Sequence, residues 1–311
     1  MADKVRIISF PGTGNTPIFV GLEKGLFAAR GVDVALETTP SSMYQAQKLV
    51  AGEFDMACTA MDNVIAYQEN AGEAELDREP DLFIIASATQ IEVSFVVAPE
   101  IESYEDVKGK RLALDALSTG FAFALYRMLD HAGLKADDYE MVSVGSTPSR
   151  WEAVQKGAYA GTLLIEPFTG MARGQGYRVL GSTLEEDVFG HYPGQVFTAS
   201  RNWAAANRGA VVGFLRGWLD ALDWISDPAN TEEAGAILAA NMPQMKPQAI
   251  GPAVQKLRDP RTGLIPMAAF DGPGLETVLR LRSQYGPHEA PLTDPDKYVD
   301  LSYYRDAVAG R

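Results

Sequence analysis

The residues of this chain that are placed to do chemistry recur as one arrangement. A strand ends, a short run of Gly, Ser, Thr, Asn or Asp follows, and a helix begins. The pattern occurs in "PGTGNT" (11–16), "TPSSM" (39–43), "TAMDN" (59–63), "LSTGF" (117–121) and "GSTPS" (145–149). The first N–H groups of a helix lack intrahelical acceptors and sit at the positive end of its dipole. They therefore bind oxygen atoms, either of a capping side chain or of a ligand. Any one of these turns reads as an ordinary cap. Their division between two halves of the chain favours a cleft lined from both sides. "LSTGF" sharpens the question, because a cap needs a hydroxyl but not Gly120, whose missing side chain is expected to let a ligand approach.

Other chemistries find little support. Gly12 and Gly14 lack the third glycine of a dinucleotide fingerprint, and no Lys-Ser/Thr ending makes "PGTGNTP" a phosphate loop. Neither G-x-S-x-G nor H-E-x-x-H occurs. The single cysteine, Cys58 in "FDMACTAM", excludes an internal disulfide and a Cys-rich zinc site and reads as a small buried hydrophobe. With His131, His191 and His288 as the only histidines, neither a metal centre nor a cofactor is expected. His191, in "FGHYPGQVF", has no Ser or Cys nucleophile beside it; it reads as a structural hydrogen-bonder and is kept as a cleft candidate.

The elements that must position these turns alternate. "KVRIISF", "VDVALET", "FDMACTA", "LFIIASAT", "SFVVAP", "RLALDAL", "YEMVSVG", "AGTLLIEP" and "YRVLGST" read as strands, with amphipathic helical segments between most of them. "IFVGLEKGLFAARG" reads as one helix closed by Gly31. Such alternation implies α/β sheets with helices on both faces. After "GQVFTASRNWAAANR" the chain turns helical, starting with the strongly amphipathic "AVVGFLRGWLDALDWISD", and its tail beyond Tyr285 reads as a surface wrap ending in a short helix. At 311 residues, 46% hydrophobic, it can fill two domains. With 41 acidic against 27 basic residues the net charge is −14, which argues against nucleic acid or anionic lipid as partner. No apolar run reaches the ~18 residues of a membrane span. "MADKVRIISF" enters a strand directly, as in a cytoplasmic protein or a mature exported chain with a starting Met.

Several segments together resemble periplasmic solute-binding proteins of ABC transporters, in the group that binds aliphatic sulfonates, nitrate, taurine and thiamine-precursor pyrimidines. They are "PIFVGLEKGLFAARGVDVALE", "LVAGEFDMACTAMDNVIAY", "SYEDVKGKRLALDALSTGFAFALYRMLDHAGL" and "GSTPSRWEAVQKGAYAGTLLIEPF", with the order of elements kept to about residue 240. The resemblance implies a type II periplasmic-binding fold: two α/β lobes, two crossover strands and a central ligand cleft. Lobe one is expected at 1–90 plus 200–311 and lobe two at 91–199, with crossings near Thr89–Ser94 and Gln195–Ser200. Hinge closure around a solute is the expected motion.

Carried over residue by residue, the resemblance maps cleft contacts to Thr13, Gly14, Asn15, Thr16, Ser41, Ser42, Tyr44, Thr59, Met61, Asp62 and Asn63 on lobe one. On lobe two it maps them to Leu117, Ser118, Thr119, Gly120, Gly145, Ser146, Thr147 and Glu166, with Thr89 and Gln90 at the hinge. Asp62 and Ser118 also read simply as helix caps. The turns carry no Arg or Lys, and Glu166 offers a carboxylate, which favours a neutral, cationic or hydrogen-bond-donating organic solute. Glu166 alternatively faces solvent or pairs with Arg150. Phe10, Tyr44, Phe121, Trp151, Phe168 and Tyr192 are available to flank a ring.

The implied function is a non-catalytic, monomeric receptor that hands a small organic solute to an ABC permease. It would be periplasmic after leader removal or lipid-anchored outside the membrane. The alternative is a cytoplasmic enzyme on the same fold: a decarboxylase, a lyase or a relative of pyrimidine synthases. The synthase version is weak, because those enzymes use a Cys-rich run, a PLP-bearing Lys and a His in lobe one, whereas no His precedes His131 here.

Overall fold

The computed structural model describes residues 2–311. The chain first lays down β1 (Asp3–Ser9), α1 (Thr16–Glu23), α2 (Leu26–Ala29), β2 (Val32–Thr38), α3 (Ser42–Val50), β3 (Met56–Ala60), α4 (Met61–Gln68) and β4 (Leu82–Thr89). It crosses over into β5 (Ser94–Val97), β6 (Arg111–Leu114), α5 (Gly120–His131), β7 (Glu140–Ser143), α6 (Thr147–Gln155), β8 (Gly161–Leu164), α7 (Phe168–Gly174), β9 (Arg178–Ser182) and α8 (Glu186–Phe189). It then returns through β10 (Gln195–Ser200) to α9 (Arg201–Ala206), α10 (Arg208–Ser226), α11 (Thr231–Asn241), α12 (Pro247–Leu257), α13 (Gly272–Tyr285) and α14 (Ser302–Ala309).

Two five-stranded sheets result, ordered β2-β1-β3-β10-β4 and β7-β6-β8-β5-β9. Each is parallel except around the strand that enters from the other lobe: β10 runs antiparallel to β3 and β4, and β5 runs antiparallel to β8 and β9. Both faces of the first sheet are buried. Val5 and Ile7 of β1 face a core built with Phe214 and Trp218 of α10, while Ile8 faces a second core shared with Leu275 and Val278 of α13. This is the two-sided burial expected of α/β sheets. In the first core Phe27 stacks on Phe214 at 5.3 Å, and Phe197 meets Trp218 edge-on at 4.7 Å.

The chain leaves the first sheet at Thr89 and enters the second at Ser94. Gln195–Ser200, expected to be the crossing itself, is β10 and pairs along its length with β3 and β4. The return is therefore made by residues before 195. Thr89 pairs with Gln195 where the chain leaves and re-enters the first sheet, while Val93 and Thr183 extend the β5–β9 ladder: Thr183 N donates to Val93 O, and Val93 N to Thr183 Oγ1, both at 3.0 Å.

Two local expectations also change. The segment 18–31 is two helices, because Gly25 adopts a left-handed conformation (φ 68°) that ends one and starts the other. The tail is more than a surface wrap: Val299 bridges to Ile84 of β4, and Tyr298 and Tyr303 are buried.

Candidate functional site

The strand ends of both sheets face each other, and the small polar turns collect there as the alternation requires. Their hydrogen bonds differ from turn to turn. In the first, Asn15 is buried and bound inward, accepting from Ser9 Oγ at 2.7 Å and donating to Phe10 O at 2.9 Å, while Thr16 Oγ1 donates to Thr13 O at 2.5 Å. These two residues shape the turn and leave Thr13 and Gly14 to face the cleft. In the second, Ser41 caps α3 by accepting from Tyr44 N at 3.2 Å. Ser42 Oγ reaches across to Asp115 Oδ2 of the other lobe at 3.0 Å, and Tyr44 lies exposed under Lys48.

The third and fourth turns meet each other. Asp62, nearly fully buried, forms a bidentate pair with Arg282 of α13, with Nε–Oδ1 at 2.7 Å and Nη2–Oδ2 at 2.6 Å. Arg282 also donates to Ser118 O at 3.1 Å and lies 4.9 Å over the ring of Phe123. A Cβ on Gly120 would sit 2.5 Å from Asp62 Cβ, so the glycine makes room for the opposing lobe. Ser118 donates from both N (2.6 Å) and Oγ (2.9 Å) to the Glu73 carboxylate of lobe one. Thr119 is the helix cap, its Oγ1 accepting from Ala122 N at 3.4 Å. The expectation that "LSTGF" opens onto a ligand is thus not what this turn does here: protein groups of the facing lobe take its donors. Asp62 does not cap α4 but holds Arg282. Met61 and Thr59 are buried, Asn63 donates to Thr59 Oγ1 at 2.8 Å, and Leu117 projects to the surface.

At the fifth turn the guanidinium of Arg150, buried beneath it, donates to Gly145 O at 2.6 Å and to Thr147 Oγ1 at 3.1 Å. It also bonds Thr162 Oγ1 and Leu163 O. Burial pulls its pKa down to about 10, opposed by the charge of Asp115. Ser146 and Ser149 share a hydrogen bond at 3.0 Å. Arg150 is therefore not the partner of Glu166. Glu166 accepts from Gly170 N at 3.2 Å and lies 3.7 Å from Lys256 Nζ. His191 is drawn away to Asp271, the cap of α13, at 2.7 Å. Of the aromatics, Phe10 lines the cleft, whereas Trp151 packs edge-on against Tyr177 and Tyr192 against Phe189.

What remains open is the other end of the junction. A narrow cleft, with a cavity of about 90 Å³, lies between Phe10–Gly14, Thr89–Glu92, Ile165, Glu166, Gln195, Lys256, Leu257, Thr262 and Gly263. Of the residues predicted from sequence, Thr13, Gly14, Thr89, Gln90 and Glu166 line it. Sequence reasoning missed Glu92, Gln195 and Lys256. Lys256 comes from α12, outside the segments that carry the resemblance, and brings to the cleft a cation that the five turns lack. Glu73 and Arg282 were missed for the same reason: they act across the lobes, and no local spacing announces them.

Two sheets joined by paired crossings, with a cleft at their facing strand ends, define the generic periplasmic-binding-protein fold. The aliphatic sulphonate binding protein SsuA of Escherichia coli shares it at a TM-score of 0.70 and 20% identity, covering 98% of this chain and 100% of that one. The nitrate-binding protein NrtA of Synechocystis PCC 6803 does so at 0.78 and 16%, covering 99% and 89%. So does the desulfurization enzyme DSZB, at 0.68 and 15%, covering 99% of each chain. Residues 2–239 match the NMT1-like family, and the chain belongs to that family. A search of curated protein sequences finds no match.

Proposed function

We propose that this protein is a non-catalytic solute receptor of an ABC importer, capturing a small organic molecule between its lobes by hinge closure and presenting it to a membrane permease. The observation that carries the reading is the open cleft at the strand ends of both sheets, beside the paired Thr89 and Gln195 at which the chain leaves and re-enters the first sheet and on which the lobes would turn. Phe10, Ile91 and Ile165 supply apolar wall among polar groups, the mixture usual in small-molecule sites. The neighbours named for sulfonate and nitrate binding support the receptor class. A receptor of this kind works as a monomer outside the cytoplasmic membrane, and among the described residues no helix is long and apolar enough to span one.

DSZB keeps the enzyme alternative in view, but the side chains argue against it here. Burial pushes the Cys58 thiol up to about 12, far from a reactive thiolate. His191, the histidine nearest the crossings in sequence, is held by Asp271. The test is a thermal-shift screen over sulfonates, aromatic carboxylates, pyrimidines and amines, followed by small-angle scattering of each hit. A bound solute at a hundredfold excess over Kd stabilises by about 2.7 kcal/mol and, by closing the lobes, lowers the radius of gyration. A turnover product, or no hit at all, would defeat the reading.

A further inference from the structure

We propose that the solute of this cleft carries a cationic, hydrogen-bond-donating nitrogen, held between Glu92 and Glu166 in competition with Lys256. The inference rests on the receptor reading and narrows it to a charge class.

Three observations carry it. First, the charged groups lining the cleft are two carboxylates and one ammonium, a local excess of negative charge in a chain that is already strongly acidic. Second, the ammonium satisfies neither carboxylate well. Lys256 Nζ stands 3.6 Å from Glu92 Oε2 and 3.7 Å from Glu166 Oε1. Charge-assisted N–H···O bonds close to about 2.7–2.9 Å. Glu92 is mostly buried, its side chain only 15% exposed, so an unmet carboxylate there is costly. Third, Gln90 Oε1 is buried on the same wall with no hydrogen-bond partner.

Together these groups present acceptors only partly met, Glu166 by Gly170 N and both carboxylates by a distant Lys256. A solute ammonium or guanidinium entering between the two carboxylates would complete them, with Lys256 withdrawing along its flexible stem toward solvent, where a third of its side chain already lies. A bare anion would find only Lys256 as cation in the lining and both carboxylates against it. The other cations near the strand ends are spent on protein groups: Arg150 on the backbone and hydroxyls of its own turn, and Arg282 on Asp62 and Ser118 O.

The test is titration calorimetry of the full chain at low salt with four probes: 1,4-diaminobutane, agmatine, ethanesulfonate and nitrate. The expected result is binding of at least one cationic probe, with both anions at least a hundredfold weaker. Glu92→Gln and Glu166→Gln should each weaken the cationic probe tenfold or more, in proteins whose unfolding curves show them folded. Lys256→Met should tighten it severalfold by removing the competitor. Tighter binding of ethanesulfonate or nitrate than of either cation overturns the charge class, and so does undiminished cation affinity in both glutamine variants; either result leaves the receptor reading standing, because a solute still binds. Silence from all four probes also overturns the charge class, while the receptor reading falls only if the broad screen fails as well.

Discussion

The two ends of the junction between the lobes are built in opposite ways. At one end Asp62 and Arg282 form a dry, bidentate pair, with Arg282 fully buried and also bound to Ser118 O of the facing lobe. Helix α13 packs there on both lobes: Leu275 and Val278 join a lobe-one core, Leu281 joins the core of lobe two, and Arg280 Nη2 donates to Phe189 O at 2.9 Å. At the other end Lys256 hangs between Glu92 and Glu166 at distances too long for good hydrogen bonds, with a third of its side chain in solvent. One end resembles a domain interior cut by a boundary. The other is a wet, incompletely paired mouth. The contrast teaches that facing turns of one kind need not do one job: where opposing protein groups satisfy them they become a joint, and where groups stay unmet they leave room for a solute.

Breaking the buried end should have the largest effect. Asp62→Ala leaves an uncompensated guanidinium with no route to water, and a loss of about 3–5 kcal/mol in denaturant unfolding is expected. Replacing both partners, as in Asp62→Leu with Arg282→Met, should cost much less than the two single changes added together. Near-additive costs would mean that the pair is not one coupled unit.

Gly120→Val comes next. Its side chain must displace Asp62 or separate the lobes, for an expected cost of about 1–3 kcal/mol. If the variant unfolds like the parent, the close approach described here is wrong. The exposed mouth should behave differently. Lys256→Met ought to cost about 1 kcal/mol, well below Asp62→Ala, because its contacts to Glu92 and Glu166 are long and a third of its side chain is in solvent, while shifting solute affinity. A stability loss as large as that of Asp62→Ala would erase the contrast between the two ends.

The smallest effect concerns pH. Burial, followed by the charge of Arg282, lowers the pKa of His288 below its ordinary value of 6.5. A histidine whose folded pKa is depressed binds its proton more readily when unfolded, so its contribution is present above pH 6.5 and is lost as pH falls through the folded value. Melting temperature should therefore drop slightly between about pH 7 and 5, and His288→Gln should flatten that portion of the profile. An unchanged profile would separate His288 from the Arg282 cluster.

The sequence by itself determined the elements and their broad arrangement. Period-two and period-3.6 patterns with caps such as Ser41 and Thr119 specify local structure through neighbouring residues alone, so the alternation and the α/β class were legible. The position of the turns at the strand ends follows from that alternation, and Thr13, Gly14, Thr89, Gln90 and Glu166 line the cleft. The tertiary structure alone decided which turns stay open. Arg282 reaches Asp62 across 220 residues of chain, and Ser118 meets Glu73 across 45. Lys256 enters the cleft from a helix that bears no mark of it. Such pairings depend on where distant helices pack, and packing follows from the shape of whole cores rather than from any residue's immediate neighbours.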